Sequence, residues 1–380
     1  MIYSFALDEV SQFDRDLSNA LAAVREWRNS FAPINVFDSK SVSNLEARFK
    51  YFVFPNLTTL RLDAYLATDF NVSDMLGFLK ASPTLQEVEV DISGNTIREG
   101  TPHEMVVVLP NVKTFFLSVL DDGGYFFDPA RISCPATHDT SLMHRICDDE
   151  MALGLMLFPD PDSWKAITRQ YSTSPVEEVM LEIDDGNLWS LVTYSLTFRS
   201  SDATIVKLEF ETIDMGTQEE RLPLSLAEVN LEIFSQACRT IRDHPLLSHV
   251  KRFHIINDAQ NLYADNTLPM AHVVGELLGS LGPLDEFTID DYDLRVFLAP
   301  FVDLPWSRNF KRIFPPVKHF IVFEPWGCST QQCMDAIVEL AKSQHELEKP
   351  FDRVTIHAMG VPAAMAKKLR QWVGTVDCCK

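Results

Sequence analysis

One short pattern returns nine times along the chain: an apolar residue, two of any kind, an apolar residue, one of any kind, and a third apolar residue. FPNLTTLRL carries it first, through Leu57, Leu60 and Leu62. It recurs at Leu85/Val88/Val90, Val112/Phe115/Leu117, Val176/Val179/Leu181, Ile205/Leu208/Phe210, Val250/Phe253/Ile255, Leu284/Phe287/Ile289, Val317/Phe320/Val322 and Phe351/Val354/Ile356. The steps between first apolar positions are 28, 27, 64, 29, 45, 34, 33 and 34 residues. In each unit the last two apolar residues alternate with residues that are mostly polar, the period-two signature of a strand with one buried face.

Between several of the units the apolar spacing turns helical. Val72, Met75, Leu76 and Leu79 form one stripe, and Val229, Ile233, Ala237 and Ile241 a second. Val273, Val274, Leu277, Leu278 and Leu281 form a third, and Cys333, Ile337, Leu340 and Ala341 a fourth. Strand and helix in alternation predict parallel strands joined by crossovers. A sheet covered on both faces would show continuous apolar runs, whereas these units keep polar residues at alternate positions. One covered face and one open face predict an α/β solenoid.

The apolar core LTTLRL with its helix-bearing return resembles a leucine-rich repeat. The proline-opened, irregular form is similar to the divergent repeat arrays of fungal F-box-type proteins, over about residues 51 to 360. The units depart from the leucine-rich pattern in lacking the asparagine or cysteine after the core and in varying in length. The resemblance implies a curved parallel sheet on the concave side, helices on the convex side, and a substrate receptor of an F-box-type ubiquitin ligase with an adaptor and a cullin as partners. In residues 1–50, LAAVREWRNSF resembles the last helix of an F-box. Read from its residues, the same segment is an amphipathic helix with Leu17, Leu21, Val24 and Trp27 on one side, an N-terminal cap of the array. Residues 121–174 are an insertion or a worn repeat, and 361–380 a C-terminal capping helix with Met365, Leu369, Trp372 and Val373 on one face.

Charge and composition exclude several classes. The formal net charge of -21 repels phosphate backbones, and no basic patch offsets it, so nucleic acid is not an expected partner. A protein with a neutral or basic surface is. No run of about 18 apolar residues predicts a membrane span. The first residues lack the basic start of a secretory signal, and the seven cysteines lack the density of a disulfide framework. A cytoplasmic or nuclear setting follows from these readings.

Chemistry is sparsely written. No nucleophile elbow, phosphate-binding loop, dinucleotide motif or HExxH sequence occurs. No catalytic residue and no cofactor is assigned, and His254 and His357 are read as surface contacts. Cys134, His138, His144 and Cys147 are suitable zinc-ligand types within CPATHDTSLMHRIC, at a spacing foreign to known zinc sites. An enzyme working from 121–160, with a metal or acid site, is the alternative function; a structural scaffold is another.

The open face is the expected binding surface. Side-chain alternation places Arg61, Glu89, Phe116, Met180, Glu209, His254, Thr288, Ile321 and Thr355 in its central column, with Phe323 beside Ile321. The column and its two flanks hold ten acids against four bases. Phe116 with Met180, and Ile321 with Phe323, are expected apolar anchors within that acidic field.

Overall fold

The computed structural model describes residues 36–38, 56–64, 72–93, 106–121, 132–147, 175–184, 190–201, 205–213, 238, 245–257, 274–275, 277–291, 294, 298, 301, 314–323, 330–358 and 361–379. Each of the nine repeated units lies on a strand, and the described residues form an α/β fold with mostly parallel pairing and few helices. The chain divides into two compact units, Met1–Ser141 and Leu142–Lys380.

In the first unit, β1 (Val36–Asp38), β2 (Thr59–Ala64), β3 (Glu87–Ser93) and β5 (Thr114–Asp121) pair parallel in that order. Helix α1 (Val72–Lys80) forms as its stripe predicts, burying Met75, Leu76 and Leu79, with Lys80 in its last turn where the dipole is negative. Two short strands, β4 (Val107–Val108) and β6 (Ile132–Ser133), pair parallel in a separate ribbon. The segments that lead into successive strands are stitched at one level. The amide of Gln86 donates to the Thr58 carbonyl at 2.7 Å, that of Lys113 to Gln86 at 2.7 Å, and that of His138 to Lys113 at 2.9 Å. Thr84 Oγ1 bonds the Leu57 carbonyl at 2.8 Å and Asn111 Nδ2 bonds that of Pro83 at 2.9 Å, so the loop polar groups that open each unit satisfy the backbone of the one before. Strand β7 (Asp139–Cys147) begins beside Lys113 and lies in the segment expected to be an insertion or worn repeat.

In the second unit the strand order is β10 (Ile205–Ile213), β9 (Ser190–Ser200), β8 (Val176–Asp184), β11 (Arg252–Asn257), β12 (Leu284–Asp291), β13 (Val317–Phe323), β14 (Arg353–His357) and β15 (Thr375–Cys379). From β8 through β15 all pairing is parallel, whereas β9 runs antiparallel to both β8 and β10. The uniformly parallel expectation therefore fails at β9. The chain between β8 and β9 is short enough for a hairpin return, and parallel pairing needs a crossover of a dozen or more residues.

One face of this sheet is predominantly apolar. Phe253, Phe287 and Phe320 occupy the same level on neighbouring strands, with ring centroids 5.8 Å apart at each step, and Phe351 continues the stack 5.2 Å from Phe320. Phe314 meets Phe287 edge-on at 5.5 Å. Helix α2 (Thr330–Glu346) buries Cys333, Ile337, Leu340 and Ala341, as its stripe predicts. Helix α3 (Ala363–Leu369) buries Met365 and Leu369. It does not end the chain's regular structure, because β15 follows and pairs with β14.

Cys333 is disulfide-bonded, while Cys134, Cys378 and Cys379 carry free thiols. The bridge at Cys333 was not anticipated from the sequence, whose cysteines lack the spacing of a dense disulfide framework. No described helix is long and apolar enough to cross a membrane. The helical segments expected at 17–27 and 229–241 lie outside the described residues, apart from Cys238, which is helical and buried.

Candidate interaction face

The polar face is built by alternation: each strand sends one set of side chains into the core and the other to the opposite side. In the first unit Arg61 pairs across to Glu89, with Nε to Oε2 at 3.3 Å, and Glu89 stands in register with half-buried Phe116.

In the second unit the register sets Met180, His254, Thr288, Ile321 and Thr355 side by side on five consecutive strands. Thr197 extends this row on β9, and Asp377 extends it on β15. Phe323 lies one step along from Ile321, is 37% exposed, and stacks on the His357 ring at 4.7 Å with the planes 10° apart.

Two expectations about neighbours are corrected. Glu209 does not share the row of Met180: β9 intervenes, Lys207 stands opposite Thr197 at that level, and Glu209 falls one step along, opposite Ser195. Met180 has Thr197 and His254 for neighbours rather than Phe116, because β9 and β11 occupy the two sides of β8. The signal for β9 was present in the alternation Val192, Tyr194, Leu196, Phe198. The same stretch keeps the three-then-two spacing through Leu191, Tyr194 and Leu196, although it is not among the nine units. β15, with Val376 between polar neighbours, likewise keeps that spacing through Val373, Val376 and Cys378.

A charged row flanks the central one. Glu178, its side chain only 11% exposed, receives Arg199 Nη1 at 3.0 Å from one side and Arg252 Nη2 at 3.1 Å from the other. Two guanidinium groups on one carboxylate satisfy its lone pairs and offset its desolvation. Arg353 is drawn to Asp377, with Nε to Oδ2 at 2.6 Å. Glu286, by contrast, stands between two imidazoles: Oε1 is 3.9 Å from His254 Nε2 and Oε2 is 3.8 Å from His319 Nδ1. The other ring nitrogen of His319 meets Thr355 Oγ1 at 2.8 Å.

Burial holds both imidazoles below the usual histidine range. For His254, Arg252 and Arg199 act in the same direction, against Glu178 and Glu286; for His319, Arg353 does so against Glu286 and Asp377. Each ring binds its proton more weakly folded than unfolded. Their contribution to stability is therefore present above the unfolded value of about 6.5 and is lost as pH falls through the folded values. Urea melts at pH 7.5 and 5.0 should show lower stability at the acid end, and the double replacement His254→Asn with His319→Asn should flatten that part of the difference. An unaltered pH slope would refute this assignment.

The zinc candidates are not assembled among the described residues. Cys134 is fully buried and desolvation pushes its thiol up to about 12, the opposite of a metal-binding thiolate, while His138 is exposed. The side chains of His144 and Cys147 lie outside the described residues. No group of three or more metal-ligating side chains stands together among those described. Comparison with protein-family models, with curated proteins and with solved structures finds no match for this chain.

Proposed function

We propose that the chain is a protein-binding solenoid of leucine-rich-repeat type that holds a partner with a neutral or basic surface on its open face. One observation carries the reading: strand after strand presents its in-register polar positions on one side, with a continuous apolar core behind them. A folded chain that keeps such an ordered row of charged, hydroxyl and apolar side chains offers pre-organised contacts at little further ordering cost. Ile321 and Phe323 supply apolar anchors, and Glu286 and Asp290 on the neighbouring strand β12 supply negative charge beside them. The level-by-level amide ladder of the first unit supports the coil geometry. The similarity to F-box-type arrays extends the proposal to a substrate receptor of a ubiquitin ligase; the segment that resembles an F-box helix lies outside the described residues.

The test is affinity capture by the tagged full-length chain, in parallel with the variants Ile321→Glu and Phe323→Asp, followed by mass spectrometry. Proteins held by the parent and released by both folded variants place the partner on this face. Retention by both variants, or capture of nothing, overturns the reading. Co-recovery of a cullin and its adaptor decides the ligase extension.

A further inference from the structure

Among the described residues, no lysine or arginine pairs with the Glu286 carboxylate. The arginine opposite it in register, Arg252, is committed to Glu178 at 3.1 Å, and Arg353 is committed to Asp377 at 2.6 Å. What faces its two oxygens instead are imidazole nitrogens at 3.9 Å and 3.8 Å, both beyond hydrogen-bond reach. The surroundings are equally unsatisfied. His254 Nε2 has no hydrogen-bond partner, nor does the hydroxyl of Thr288, a residue only 8% exposed that stands two positions along β12 from Glu286 and in register with His254. A buried hydroxyl and imidazole nitrogen left unpaired are costly features, and such groups are retained where a ligand completes them.

We infer that Glu286, His254, His319 and Thr288 form a seat for a lysine side chain of the partner protein. This rests on the protein-binding reading of the same face and names its point of recognition. An ammonium group carries three donors and no acceptor, and the seat is its complement. Held at about 2.9 Å from both members of an oxygen and nitrogen pair, the ammonium nitrogen bridges a gap that neither side chain closes alone. Glu286 supplies the opposite charge, and neutral imidazole nitrogens supply acceptors without the repulsion that a second carboxylate would bring to the first. A guanidinium is too broad for a gap of this width and demands a coplanar pair of acceptors. Protonating the rings removes the acceptors and adds positive charge, with Arg252 and Arg199 already pressing on His254 from β11 and β9 against Glu178 and Glu286, and Arg353 pressing on His319 from β14 against Glu286 and Asp377.

The probe is the peptide acetyl-Gly-Lys-Gly-amide, titrated into the full chain at pH 7.5 while the histidine ring signals are followed by NMR. Saturable shifts of His254 and His319 are expected, weakened about tenfold or more when the lysine is acetylated or when Glu286→Gln removes the charge. Thr288→Val should keep or raise the melting temperature while weakening the shift, a combination that a purely structural hydroxyl would not produce. Equal response to the acetylated peptide, or an undiminished response in Glu286→Gln, overturns the seat. The wider reading fails separately: if the parent chain captures no partner the interaction proposal falls, and if Glu286→Gln captures the same partner undiminished only the seat does.

Discussion

Replacing Phe287 with alanine should lower the stability of the second unit by about 3–5 kcal/mol, the largest loss expected from any single truncation in this chain. The ring is fully buried and touches three others: Phe253 at 5.8 Å on β11, Phe320 at 5.8 Å on β13, and Phe314 edge-on at 5.5 Å. Removing it opens a cavity walled by rings fixed to neighbouring strands, which cannot collapse without breaking their own register. Phe253 and Phe320 on the paired strands lose a packing partner, so the strands on both sides of β12 should lose hydrogen-exchange protection. Urea unfolding of the variant against the parent measures the effect. A loss under about 1 kcal/mol would mean that the phenylalanine stack is not the core of this unit. Phe287→Leu keeps most of the apolar volume and should cost much less.

The second large effect is at Gly374, and it is steric. A methyl group built on Gly374 would lie 2.7 Å from the backbone carbonyl oxygen of Asp352, closer than real Cβ atoms come. That same carbonyl accepts the amide of Thr375 at 2.9 Å, the first bond that lays β15 against β14. Gly374→Ala therefore forces apart the contact that starts the last strand pair, at about 1–3 kcal/mol, and should release β15 locally before the rest of the unit opens. The free thiols of Cys378 and Cys379 report it, and should react faster with a thiol reagent in the variant. Gly77, inside α1, has nothing within 4 Å of an added Cβ, so Gly77→Ala should instead stabilise by about 0.5–1 kcal/mol. The two glycine replacements should thus differ in sign, and agreement between them would refute the steric account.

Which residues lie on strands, and which of their side chains turn inward, was legible in the chain itself. Leu60, Val88, Phe115, Val179, Phe253, Phe287, Phe320 and Val354 were all marked by spacing, and all are buried. Strand alternation is a local property of the backbone, so a few residues suffice to encode it. The helical stripes on α1 and α2 were legible for the same reason.

Who stands beside whom was not legible. Nothing within SPVEEVMLE says that β9 will fold back beside it and separate Met180 from β10, and nothing near Glu286 says that Arg252 will turn to Glu178. Those outcomes join residues as far as 74 positions apart in the sequence. Pairing at that range is decided by chain return, steric fit and competition among partners rather than by local preference. The sequence by itself determined the strands and their two faces, because alternation repeats every second residue. The rows across those strands, including the carboxylate left between two imidazoles, arose in the folded sheet, because a row is made of residues that meet only when separate strands pair.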